Sequence, residues 1–278
     1  MSFFPKRDLL NKLQIFRRLF VCAFILLCIG APTIAQNQRD QSIKDLLQQG
    51  DKFAEEQFDN TAALNKYQQA DKLSPENWEV FWRISRAYVD LADRMPSATS
   101  EQKNAQQSKY QLAFDYADKA VKLAPDKSVT YLRRAIANGK IALFKGVFSV
   151  IGIVNRVKED AEKAIKLGNG GSYVQAIAHY VLGRTHAKVC EKSYLVRLPL
   201  GLGWGKIETA ESEIKKAIEI YPKFRMFFLD LAKVYIEEDE YQKAKQALSM
   251  IEKLPKANQD DDKYLAEGRA LSEQIKNK

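Results

Sequence analysis

Two histidines and a cysteine stand close together in this chain, and they are the residues that could do the most specific chemistry. His179, His186 and Cys190 fall at i, i+7 and i+11, so one helix would carry all three on one face. Neutral imidazole and thiolate at such spacing can ligate zinc or copper. Two features argue for packing instead. Both histidines occupy slots where paired repeat helices meet, and Glu191 is the sole carboxylate near them at helical spacing. Gly168-Asn169-Gly170-Gly171 ahead of a helix could cradle a phosphate, but no strand precedes it and no Gly-Lys-Ser/Thr follows. It reads as a breaker between helices. Asp260-Asp261-Asp262 has the wrong ligand spacing for an EF-hand loop and reads as an acidic helix N-terminus. With two histidines in 278 residues and no Ser-His-Asp order, no catalytic residue can be named. The chain reads as a non-enzyme with no expected metal or cofactor.

The elements that must position these residues repeat. Ala63-x3-Tyr67-x2-Ala70-x4-Pro75 recurs as Ala113-x3-Ala117-x2-Ala120-x4-Pro125 and as Ala210-x3-Ile214-x2-Ala217-x4-Pro222. Small residues let two helices approach closely, and the proline stops one helix before the next begins. A partner-helix pattern follows each stop: Trp78, Phe81, Ile84 and Tyr88 after Pro75, and Phe228, Leu231, Ala232 and Tyr235 after Pro222. A unit from Tyr131 to Ala164 ends on the glycine-rich breaker, and Leu182-Gly183 marks a fourth. With a first unit near Leu47-x2-Gly50-x2-Phe53, the reading is an all-α, tetratricopeptide-like solenoid. It has about five helix pairs, and the polar stretch from Asp260 to Lys276 forms a capping helix.

Three units depart from the standard length. The second carries a polar excess over Arg94 to Gln107, expected to be longer helix ends around a solvated loop. The third carries the apolar extension 141–154, which Lys145, Gly146 and Gly152 interrupt too often for a membrane span. The fourth carries the apolar loop 194–205, expected to fold back on that extension so that each covers the other. The alternative for both is an exposed surface for a lipid or apolar ligand.

Residues 1–35 read as a secretory signal peptide, leaving 36–278 as the repeat domain. Basic residues Lys6 to Arg18 precede an apolar run from Leu19 to Ala31, and Thr33 and Ala35 are the small residues before a cut at Gln36. The expected location is the periplasm or the exterior, the alternative being a membrane-anchored adaptor with this segment uncleaved. Two of three cysteines, Cys22 and Cys28, lie within that run, so the mature chain would hold Cys190 alone and no disulfide framework. The formal net charge is +9, without a basic block or Arg/aromatic stripe to follow phosphates, which argues against a nucleic-acid partner.

From His179 to about Leu271 the chain resembles the regulator of microtubule dynamics family, and more weakly back to about residue 45. The residues that carry the likeness begin with His179-x2-Leu182-Gly183-Arg184, followed by the interruption ending at Trp204. Glu208-x-Ala210 through Ala217-Ile218 and Tyr221-Pro222-x-Phe224 come next, then Ala247-Leu248-x2-Ile251-x-Lys253-Leu254-Pro255 and the acidic triplet. The resemblance implies tetratricopeptide-like adaptors, some microtubule-associated and some anchored to organelle membranes. It further implies that slots two, five, nine and twelve of each first helix face the concave side: Glu79, Trp82 and Arg86; Leu132 and Ile136; Ile177, Tyr180 and Arg184; Met226, Leu229 and Lys233. The expected function is an exported adaptor or scaffold that takes a protein or peptide partner there. Trp82 and Tyr180 would anchor it, and Arg86, Arg184 and Lys233 would meet its carboxylates. Membrane contact is allowed but not required, and the oligomeric state is not legible.

Overall fold

A computed structural model describes residues 36–146 and 149–278, and the signal-peptide reading therefore lies outside the described residues. These residues form an all-helical solenoid. Helix α1 spans residues 36–55 and pairs with α2 (Asn60–Leu73). The second pair is α3 (Trp78–Ala92) with α4 (Ser100–Leu123), the third α5 (Ser128–Lys145) with α6 (Ile151–Leu167). In the fourth, α7 (Gly171–Cys190) packs on α9 (Ile207–Ile220) and the single turn α8 (Tyr194–Arg197) stands in the connection. The fifth joins α10 (Arg225–Glu237) to α11 (Tyr241–Lys253), and α12 (Asp261–Gln274) closes the array against both.

The repeat residues do what their size dictates. Ala63, Tyr67, Ala70, Ala113, Ala117, Ala120, Ala210, Ile214 and Ala217 have no exposed surface, and neither do Ala161 and Ala164 in the proline-less third unit. Gly183 is where closeness becomes obligatory. A Cβ there would meet the Ala210 carbonyl oxygen at 2.9 Å and Ile214 at 2.8 Å, so α7 and α9 touch backbone to backbone. The glycine-rich breaker works as expected: Gly168 ends α6 in the left-handed conformation. Asn169 then ties the turn to the preceding unit, accepting from the Ser128 N–H at 2.8 Å and donating to the Asp126 carbonyl at 2.8 Å.

The polar excess of the second unit is a mostly exposed loop over residues 94–99 followed by added helix from Ser100, as expected. Thr99 and Gln102 form a reciprocal capping box at the start of α4, which runs for 24 residues. Helices α3, α5, α7 and α10 contact one another in succession and make the inner layer. α2, α4, α6, α9 and α11 stand outside it. A long-range closure adds to the stack. The turn before α12 reaches the N-terminal units, where Asn60 donates to the Gln259 side chain at 3.3 Å and Arg94 lies 3.5 Å from Asp260.

Candidate functional site

The inner layer and that closing turn enclose a cavity of about 710 Å3, the size of an ordinary ligand or peptide-segment site. Its position follows from helix length. Helices α5 and α7 run 18 and 20 residues, against 15 and 13 for α3 and α10. The extra turns carry Gly139, Lys140 and Leu143 on α5, and Thr185 and Lys188 on α7, beyond the standard concave slots and into the cavity wall. The closing turn supplies Gln259 and Asp260 from the other side.

Of the residues expected in the groove, Arg86, Ile136, Ile177, Tyr180, Arg184 and Met226 line this cavity. Glu79 and Trp82 do not, and Leu132 and Leu229 are packed in the core at 0% and 1% exposure. Lys233 stands outside the wall, held between Asp230 at 3.1 Å and Glu267 of α12 at 2.9 Å. Trp82 lies behind the wall, with the Arg83 and Arg133 guanidinium groups 4.2 Å and 5.5 Å from its ring centre.

The cations of the wall are mostly engaged. Arg86 meets Glu55 at 2.6 Å and Asp90 at 3.6 Å. Lys140 pairs with Asp93. Arg184 donates to the Tyr180 hydroxyl at 3.0 Å and lies 3.5 Å from Asp230, which accepts from that hydroxyl at 2.7 Å. Burial opposes the charge on Asp230, but Arg184 and Lys233 outweigh it and hold the carboxyl below its usual range. Burial pushes the Asp90 carboxyl up, against the pull of Arg86. Arg133 differs from these residues in being buried in the wall with no ion pair among the described residues; its Nε, like that of Arg184, has no hydrogen-bond partner.

The remaining chemical candidates have structural roles. His186 is buried, accepts from the Lys206 backbone N–H at 3.2 Å and meets the Trp204 ring edge-on at 5.0 Å. His179 Nδ1 lies 2.6 Å from Glu213. No three metal-ligating side chains converge among the described residues. The acidic triplet departs from simple capping: Asp260 holds the N-cap position of α12 without a side-chain cap bond. Asp261 turns back to accept from the Ala257 and Asn258 N–H groups, and Asp262 pairs with Lys256 at 2.6 Å.

The two apolar irregularities do meet. Ala142, Val154, Val189 and Leu202 form a buried cluster with Val150, Ile151, Ile153, Leu200 and Trp204 around it, and Trp204 donates to Asn155 at 2.9 Å. The cover is incomplete: Leu195 is 82% exposed, and Tyr194, Val196, Leu198 and Leu143 are also exposed. Residues 147 and 148 of the extension lie outside the described ones. No described helix is long and apolar enough to cross a membrane.

Comparison with known proteins decides the family. Residues 46–276 match the family described as Regulator of microtubule dynamics protein 1-3. The chain belongs to that family. Regulator of microtubule dynamics protein 2 of Bos taurus is 24% identical over 71% of this chain and 48% of its own length. Protein 3 of Bos taurus is 24% identical over 84% of this chain and 49% of its own. The chain thus spans about half the length of the curated relatives it matches. Among solved structures, a thermophilic TPR protein of Thermus thermophilus superposes with a TM-score of 0.58 at 18% identity, over 82% of this chain and 98% of that one. The regulator of microtubule dynamics fold in this chain is thus a tetratricopeptide-like solenoid, the architecture of protein-interaction adaptors.

Proposed function

We propose that this protein is a non-enzymatic adaptor that holds a segment of a protein partner in the cavity of its concave face. The observation that carries the reading is the composition of the cavity. Ile136, Ile177, Val181 and Phe224 supply apolar wall, while polar and charged groups from α3, α5, α7 and the closing turn converge on the same space. Tyr180 and Arg184 form the charged anchor with Asp230, and Arg86 forms a second with Asp90. Trp82 and Lys233 act from behind, Trp82 as a shelf for Arg133 and Lys233 as the link from Asp230 to α12.

Export belongs to the proposal and rests on the pattern of residues 1–35. An intact mass beginning at Gln36 is expected, and a full-length mass contradicts it. The relatives' name concerns microtubule dynamics, and this chain spans about half their length. A second reading has one observation in its favour: the exposed tip of the fourth unit, Tyr194 to Leu198, could meet a lipid or another apolar surface. Photo-crosslinking amino acids placed singly at Ile177 and Leu195 separate the two. Partner crosslinks from Ile177 and none from Leu195 are the expected result. Crosslinks from Leu195 alone would transfer the function to the tip.

A further inference from the structure

Among the described residues, the cavity wall holds a cation without a counter-charge. Arg133 on α5 is 7% exposed, lines the cavity, forms no ion pair among those residues and has an unpartnered Nε. The nearby carboxylates are already engaged, Glu55 and Asp90 both by Arg86. A buried guanidinium without a paired anion is costly, because its hydration is lost and Tyr173 and the Trp82 ring replace only part of it. Burial works against its charge, as does the neighbouring Arg86, while Tyr173 and Asp90 favour it. Its position is held from behind by the Trp82 ring at 5.5 Å.

A second feature leaves room for what is missing. Gly139 sits inside α5, where glycine is a poor helix former, yet a Cβ there would find nothing within 4 Å. No neighbour requires the glycine, and it lines the same cavity. The space it leaves open lies on the helix that carries Arg133.

We infer that Arg133 and the space beside Gly139 form a subsite for a carboxylate attached to an apolar body, supplied by a segment of the partner. The inference rests on the adaptor reading and deepens it. The planar guanidinium fork matches a carboxylate. Asp90, Asp93 and Glu55 stand around the same cavity and disfavour a doubly charged phosphate. Ile136, Ile177 and Phe224 receive the apolar part.

The test titrates the protein with 3-phenylpropanoate, its amide and phenyl phosphate, following the Trp82 indole N–H by NMR. The carboxylate is expected to bind about 10-fold more tightly than the amide, a step of one decade in Kd, and more tightly than the phosphate. Arg133→Met should abolish the preference while keeping the fold, since it removes a buried charge that no ion pair balances. Arg133→Lys, retaining charge without the fork, should keep part of it and serves if the methionine variant fails to fold. Equal binding of acid and amide, a preference that survives Arg133→Met, tighter binding of the phosphate, or no binding of any probe would each overturn the subsite. Acetyl-Leu-Phe with a free C-terminus and acetyl-Glu-Phe amide then identify the source as a chain end or an acidic side chain. If neither displaces phenylpropanoate, a partner peptide is not the source. Crosslinking from Ile177 reads occupancy of the cavity whatever the charge, so adaptor and subsite can fail separately.

Discussion

The concave cavity and the apolar flank of units three and four are both departures from a standard repeat, and they use their extra residues in opposite ways. The flank uses its residues on itself. Leu202 and Val189 are fully buried, Trp204 is hydrogen-bonded to Asn155, and loop and hairpin cover one another in part, leaving Leu143 and the tip from Tyr194 to Leu198 exposed. Among the described residues, the cavity leaves groups unspent: an arginine without an ion pair, a helical glycine without a neighbour, and a closing turn tied to the N-terminal units by two polar contacts. Chain length added to a repeat becomes structure where it is apolar and can cover itself. It becomes a site where charge is left unmatched.

Breaking the flank should have the largest effect and leave the cavity unaffected. Leu202→Ala empties a fully buried position in the small cluster of the fourth unit, and a loss of about 3 kcal/mol is expected in urea unfolding. Phenylpropanoate binding per folded molecule should not change. Coupled losses of stability and binding would show that the two regions are one.

Acid should loosen the flank next. Burial, followed by the charge of Lys158, holds the His186 pKa below its ordinary value. The unfolded chain therefore takes up the proton first. The contribution is complete above about pH 6.5, the ordinary histidine value, and is lost as the pH falls from there through the depressed folded value. Protonation also removes the acceptor for the Lys206 N–H. The slope of stability against pH in that window should flatten in His186→Asn, which keeps an acceptor but cannot titrate. An unchanged slope would assign the acid sensitivity elsewhere.

The smallest effect is expected at the closing turn. The Arg94–Asp260 contact is partly exposed and 3.5 Å long, so Asp260→Asn should cost less than about 1 kcal/mol. Hydrogen exchange over residues 255–260 should nevertheless accelerate. Unchanged exchange would mean that the Asn60–Gln259 bond and the Asp261 carboxylate, which accepts from the Ala257 and Asn258 N–H groups, hold the turn without the Arg94 contact.

The repeat architecture was legible because it depends on local sterics. Alanine at the crossing, glycine where backbones touch at Gly183, and proline or Gly168 at the stops have the same meaning in any such fold. The covering of 141–154 by 194–205 was legible too, since a loop with Leu200, Leu202 and Trp204 must bury them somewhere. The site was legible in half. Arg86, Ile177, Tyr180 and Arg184 follow from standard concave slots, which assume helices of standard length. The longer α5 and α7 added Gly139, Lys140, Thr185 and Lys188 to the wall, while Leu229 and Leu132 turned into the core and Lys233 is held outside by Asp230 and Glu267. Arg133 follows directly after Leu132, and nothing in the sequence distinguishes it from Arg134, which bridges Asp118 and Asp160. Only the fold shows which of the two lacks an ion pair among the described residues. The contact from Gln259 to Asn60 spans 199 residues and has no sequence pattern at all.

The most direct test of the central claim fills the cavity without disturbing the helix. Gly139→Trp should raise or preserve the melting temperature, because tryptophan is a better helix former than glycine and its Cβ enters open space facing the cavity. The same variant should lose partner crosslinking from Ile177. Retained crosslinking in a well-folded Gly139→Trp protein would contradict the account and place the partner outside the concave face.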